Sequence, residues 1–191
     1  MRPPAYAKAW TLYPYLPPLQ DAICLFKYRG KVSLAKPLGR LMIKGLPASL
    51  NADLVIPVPL HPARLREREF NQSLLLADQV AKHTDLSLSF TNLVRTTQSE
   101  PQSTLSRKER IKNLRQAFAV RHPQSIAQKR ILLIDDVFTT GTTVNECAKV
   151  LRKAGAEAVL VLTLARTIES NVMPDRILAQ RANGVLGVLR G

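Results

Sequence analysis

Cysteine is scarce in this chain of 191 residues: only Cys24 and Cys147 are present. They lie far apart, each inside a helical pattern, and read as core residues rather than as a disulfide or a metal pair. Two cysteines cannot build a four-cysteine zinc site, so no zinc is expected. His61, His83 and His122 show no ligand spacing and read as surface groups. No apolar run is long enough to span a bilayer. The opening Met1-Arg2-Pro3-Pro4 lacks the apolar stretch of a secretory signal. The expectation is a cytoplasmic protein with no membrane insertion. Internal repeats are absent. Acidic residues are few, 14 against 28 Lys and Arg, which leaves a formal charge of +14. Such an excess points to anionic partners: phosphorylated metabolites, nucleic acid or both. The plain alternative is a basic surface that only keeps the protein in solution.

What is present centres on Ile131-Leu-Leu-Ile-Asp-Asp-Val-Phe-Thr-Thr-Gly-Thr-Thr143. Ile131 to Ile134 is a continuous apolar run, the pattern of a parallel strand buried on both faces. Asp135 and Asp136 are expected where that strand emerges. Thr139, Thr140, Gly141, Thr142 and Thr143 form a hydroxyl-rich loop that leads into a helix, with Val144, Cys147, Ala148 and Leu151 on one face. Gly155 is a plausible stop. A helix N-terminus offers unpaired N–H groups and a partial positive charge to a phosphate. Threonine hydroxyls add donors, and Gly141 lets the backbone close around an anion. Two adjacent carboxylates suit the paired hydroxyls of a sugar, or Mg²⁺ directly or through water. No Gly-Lys-Ser/Thr follows, so this is not a Walker A loop.

At all thirteen positions the stretch resembles the 5-phosphoribosyl-1-pyrophosphate (PRPP) motif of type I phosphoribosyltransferases. The resemblance implies an α/β fold, a mostly parallel sheet flanked by helices. It also implies that Asp135 and Asp136 serve catalysis at the ribose, and that Thr139–Thr143 hold the 5-phosphate.

The rest of the chain is read around that unit. Residues 1–18, with five prolines and three tyrosines, are expected to be an irregular arm packed over the sheet. Residues 19–167 form the phosphoribosyltransferase-like domain, and 168–191 a tail. Helices are expected at Leu19 to Tyr28, Ser33 to Lys44 and about Ser73 to His83. Strands are expected at Asp53 to Val58, Phe118 to Val120 and Val159 to Leu164, with a turn or short strand at Thr84 to Ser89. Residues 59–68 read as a basic loop. Arg95 to Arg115 reads as a mobile loop running into a basic helix start.

Further stretches narrow the resemblance. Lys27-Tyr28-Arg29-Gly30, Ile56-Pro-Val-Pro-Leu60, Arg68-Glu-Phe-Asn-Gln72, Gln102-Ser-Thr-Leu-Ser106 and Leu164-Ala-Arg-Thr167 occur in an order similar to that of the ComF family. Its members are phosphoribosyltransferase-like proteins tied to bacterial competence and DNA uptake or utilisation. The resemblance implies transfer of phosphoribosyl from Mg-PRPP to an acceptor. Alternatives on the same fold are a non-catalytic PRPP or nucleotide sensor and a protein that handles single-stranded DNA or competence proteins. It further implies that Arg64, Arg66 and Arg68 face the diphosphate, and that Arg107, Lys108 or Arg110 reach phosphate from a closing loop. Phe70-Asn71-Gln72 read equally well as a cap and anchor for the following helix. Two departures stand out. The four-cysteine zinc module that commonly opens family members has no counterpart in this sequence, being either lost or cut off by the choice of start. Glu69 replaces a glycine, which argues against a left-handed turn there and adds negative charge near the expected pyrophosphate.

Overall fold

The computed structural model describes residues 3–96, 117–168 and 188. Five parallel strands form the central sheet: β1 (Lys8–Pro14), β2 (Leu54–Pro57), β3 (Ser87–Leu88), β6 (Arg130–Phe138) and β7 (Ala158–Arg166), in the order β1-β7-β6-β2-β3. A separate antiparallel pair joins β4 (Leu93–Arg95) to β5 (Phe118–Val120). The helices are α1 (Leu19–Tyr28), α2 (Ala35–Lys44), α3 (Pro62–Arg68), α4 (Gln72–Thr84) and α5 (Thr142–Lys153). The α/β architecture expected from the sequence is present.

Alternation along the strands divides the core in two. Leu132 and Ile134 of β6, with Leu160, Leu162 and Leu164 of β7, face α1, α2 and α4. Ile131 and Leu133, with Val159 and Val161, face α5 and the β4–β5 pair. Each helix presents the stripe that its spacing dictates: Leu19, Ala22, Ile23 and Phe26 in α1, and Val144, Cys147, Ala148 and Leu151 in α5. Cys147 is buried in the core as expected and forms no disulfide, whereas Cys24 in α1 is only half-buried, its Sγ 3.5 Å from the Tyr15 hydroxyl.

Four expectations are corrected. Residues 8–14 are not an irregular arm but an edge strand, in register with β7 from Lys8↔Leu160 to Pro14↔Arg166. The prolines hid it, yet they flank the strand or end it, positions an edge strand tolerates. Residues 62–68 are helical rather than loop. Pro62 occupies the first turn and His61 Nδ1 accepts from Ala63 N–H at 3.2 Å. This helix buries no residue, so no apolar periodicity announced it. Strand β6 runs four residues past Ile134, so Asp135 and Asp136 lie within it, with Asp135 beside Thr163 of β7. The second helix begins at Ala35, after a 3₁₀ turn at Val32–Leu34, which leaves Pro37 in its first turn. The loop expected over 95–115 and the tail from 168 lie mostly outside the described residues.

Candidate functional site

Successive strands depart in opposite directions from the β6–β2 junction: β7 lies beyond β6, and β3 beyond β2. Helix α4 follows β2 onto one face of the sheet, while α5 follows β6 onto the other. The carboxyl ends of β2 and β6 therefore open on a topological switch point, where open α/β sheets bind ligands. The Ile56–Leu60 and Ile131–Thr143 stretches lie there.

Strand pleating sends the paired acids to opposite sides. Asp136 follows Leu132 and Ile134 toward α1, where its Oδ1 lies 2.8 Å from Lys27 Nζ. Both side chains are largely withdrawn from solvent, 10% exposed for Asp136 and 16% for Lys27. Asp135 instead accepts from Ser73 Oγ at 2.9 Å and from the N–H of Asp136 at 2.9 Å. Burial, followed by the charge of Asp136, pushes the Asp135 carboxyl up to about 7; Ser73, the Asp136 N–H and Lys27 pull the other way.

The loop after β6 closes tightly. Gly141 has φ +73°, and a Cβ there would sit 2.5 Å from the Phe138 ring. Only glycine meets both demands at once. Thr140 and Thr142 share a hydroxyl–hydroxyl contact of 2.8 Å, and Asn145 N–H is bonded to Gly141 C=O as α5 starts. Thr139 and Thr140 are exposed, whereas Thr142 and Thr143 are half-buried in the first turn. Arg166 stacks on Phe138 at 5.4 Å and braces the loop from β7.

The facing wall comes from the start of α4. Asn71 Oδ1 caps Ser73 N–H at 3.0 Å while its Nδ2 donates to Val58 C=O at 3.1 Å, which pins the helix to the end of β2. Arg68 stacks on Tyr28 at 4.7 Å, and its Nη1 donates to Gln72 Oε1 at 3.2 Å. Arg68 Nε and Gln72 Nε2 are buried donors with no acceptor. Such donors are costly unless an anion takes them up. Arg64 and Arg66 are exposed on α3; burial first, and then the charges of Arg95, Arg64 and Arg66, lower the pKa of His61. Of the three arginines expected at the diphosphate, Arg68 is thus the one tied to α1 and α4. Arg107, Lys108 and Arg110 lie outside the described residues. Glu69 corrects the expectation set by its side chain: it does adopt the left-handed turn, with φ 64°, at the C-terminus of α3.

Two groups were missed as site residues, Lys27 and Ser73. Lys27 lay within a family-like stretch but carried no role. Ser73 was read only as a helix start. Nothing local marks either, because both meet the acids through tertiary packing.

Among the described residues, no three of His, Cys, Asp and Glu gather around a common point. Two diverging carboxylates do not make a protein cage for a metal. They do fit Mg²⁺ of the kind that takes one or two carboxylates and fills its shell with water and phosphate oxygens.

Residues 71–180 match the phosphoribosyl transferase domain. Competence protein F of Haemophilus influenzae is 33% identical over 171 residues, covering 85% of this chain and 74% of that protein. DNA utilization protein YhgH of Escherichia coli K12 is 34% identical over 173 residues, covering 87% and 75%. This chain belongs to the ComF family. Competence protein ComFC of Streptococcus pneumoniae is 28% identical over 156 residues, 82% of this chain and 67% of that one. Among solved structures, the glutamine PRPP amidotransferase of B. subtilis superposes with a TM-score of 0.52 at 18% identity. The match covers 83% of this ComF chain but only 37% of the amidotransferase, and it shows a shared fold. Among the described residues, no helix is long and apolar enough to cross a membrane.

Proposed function

We propose that the protein binds PRPP with Mg²⁺ at the β6–β2 switch point and transfers the phosphoribosyl group to an acceptor, releasing pyrophosphate. The observation that carries this reading is that three ligand-shaped parts lie at or follow the carboxyl ends of the adjacent strands β2 and β6. They are a carboxylate pair, a glycine-turned threonine loop at a helix N-terminus, and buried donors on Arg68 and Gln72 that lack an acceptor.

In this reading the Thr139–Thr143 loop and the first N–H groups of α5 hold the 5-phosphate. Asp135 and Asp136 accept from the ribose hydroxyls. As the bond from C1 to the pyrophosphate oxygen breaks, positive charge grows on the ribose ring, and the two carboxylates stabilise it. Arg68 and Gln72 take the departing diphosphate, with Arg64 and Arg66 contributing charge from α3. Mg²⁺, when bound, neutralises diphosphate oxygens and makes pyrophosphate a better leaving group. The acceptor's lone pair then forms the new bond to C1.

Calorimetric titration with PRPP, with and without Mg²⁺, tests this. The expected result is Mg²⁺-dependent micromolar binding that disappears in Asp135→Asn/Asp136→Asn. Pyrophosphate release with added acceptors then separates a transferase from a non-catalytic sensor. No binding to folded wild-type protein would remove the reading.

A second reading, handling of single-stranded DNA, has its own support. Lys36, Arg40 and Lys44 are exposed at i, i+4 and i+8 on α2, which has no acidic residue, and Arg29 and Lys31 are exposed just before it. Such a stripe suits a phosphate backbone. The relatives named for competence and DNA utilisation are in keeping with it. The expected signature is affinity that falls steeply with salt and is lost in Lys36→Glu/Arg40→Glu/Lys44→Glu, with PRPP binding unchanged. Salt-independent or undetectable binding would exclude it.

A further inference from the structure

The Lys27–Asp136 ion pair joins the end of α1 to the acid that the PRPP reading assigns to the ribose. At 2.8 Å, with both side chains largely shielded, it is a charge-assisted contact rather than a loose surface pair. It also takes up one oxygen, Oδ1, of the carboxylate that a ribose hydroxyl or a Mg²⁺-bound water would use, so ligand and Lys27 compete for that oxygen.

Charge balance accounts for the pair. Asp135 and Asp136 bring two carboxylates to adjacent positions at a shielded strand end, where like charges repel. The Lys27 ammonium, 2.8 Å from Asp136 Oδ1, offsets that repulsion. When ligand arrives with Mg²⁺, the balance inverts. The cation repels a nearby ammonium, and the diphosphate adds more negative charge than one Mg²⁺ offsets. Lys27 has a flexible four-carbon stem on the last turn of α1, and that helix touches the end of α3 and the turn after it, through Tyr28 under Arg68 at 4.7 Å and Phe26 against Phe70 at 5.5 Å. An ammonium released from Asp136 therefore stays on the helix end that carries the guanidinium assigned to the diphosphate.

We propose that Lys27 is a diphosphate-binding residue that is parked on Asp136 in the ligand-free protein and is exchanged for the ligand's own cation and hydroxyls on binding. The proposal rests on the PRPP reading and adds to it a residue that both guards the acid pair and serves the leaving group. It makes the two halves of the ligand respond in opposite directions. Without Lys27, Asp136 is uncompensated and open, so a bare divalent cation binds more tightly. The same loss takes a positive charge from the diphosphate, so PRPP binds more weakly.

Calorimetry on the full chain tests this with MgCl₂ alone, and with PRPP at saturating Mg²⁺, for wild type, Lys27→Met and Lys27→Arg. Circular dichroism confirms that each variant is folded. In Lys27→Met, PRPP affinity is expected to fall at least ten-fold while affinity for Mg²⁺ alone rises several-fold. Lys27→Arg is expected to bind PRPP within a few-fold of wild type. Unchanged PRPP affinity in Lys27→Met overturns the proposal, as does a parallel fall in both affinities, which is the mark of a merely structural pair. Wild-type protein that binds no PRPP overturns the parent reading as well. Failure of Lys27 alone is therefore distinct from failure of the site. Should Lys27→Met not fold, Lys27→Gln carries the same test.

Discussion

Ser73, at the start of α4, donates its hydroxyl to Asp135 Oδ1 at 2.9 Å and so ties the loop after β2 to the acid of β6 across the switch point. The bond favours the ionised carboxylate of a group otherwise pushed toward its neutral form. Ser73→Ala should therefore cost about 1.5–3 kcal/mol at pH 8, the usual size of a lost hydrogen bond to a charged group. Asp135 should then titrate higher still. Urea unfolding at pH 8 and pH 5 checks this. The loss should be smaller at pH 5, where the carboxyl is protonated and the bond matters less.

Asp135 itself sets a pH dependence. Its folded pKa of about 7 lies above the ordinary 3.8, so folding favours the protonated form. The associated stability is full below about pH 4 and is lost as pH rises through 7. Asp135→Asn keeps a neutral group throughout and escapes that loss. Its melting temperature in the ligand-free, metal-free protein should exceed wild type at pH 8, and the advantage should shrink by pH 5. An equal shift at both pH values would contradict the assignment.

Glu69 holds φ 64° at the end of α3 where a glycine would rest without strain. A left-handed non-glycine residue costs roughly 1–2 kcal/mol. Glu69→Gly, which also frees the unfolded chain, should stabilise by about 0.5–1 kcal/mol net. It also removes a negative charge from the turn before Asn71, so affinity for inorganic pyrophosphate should rise. Thermal unfolding and pyrophosphate titration read the two effects separately.

Gly141 meets the opposite fate. Its φ of +73° and the 2.5 Å approach of the Phe138 ring leave no room for a methyl group. Gly141→Ala should destabilise by at least about 2 kcal/mol through strain and a displaced ring. Phosphate-loop function should fail with it. Phe138 is itself buried, so Phe138→Ala also costs stability, but the loss in Gly141→Ala/Phe138→Ala should be smaller than the sum of the two single losses. Denaturant midpoints of wild type, both single variants and the double variant measure that coupling.

The parts legible from sequence were those written contiguously. Ile131–Thr143 displayed strand, acids, loop and helix in order, and the structure places them so. Helix α1 was legible from Ile23, Cys24 and Phe26, of which Ile23 and Phe26 are buried while Cys24 is only half-buried. What escaped depended on partners distant in sequence. Trp10 and Leu12 pack on the core only because β7 offers an edge, and their prolines argued otherwise. Helix α3 buries nothing and so leaves no periodic trace. Lys27 gains its place from the packing of α1 against β6, 109 positions away at Asp136. The left-handed turn at Glu69 contradicted its residue type outright, because tertiary context outweighed local preference.

The pairing of β1 with β7 also has a consequence in time. Lys8 meets Leu160, so the first strand waits for a partner made 152 residues later. At roughly 5–20 residues per second of synthesis, that is a delay on the order of ten to thirty seconds. Throughout it, Trp10, Leu12 and Tyr13 have no sheet to join. On the nascent chain, the margin of the sheet made earliest is the one completed last.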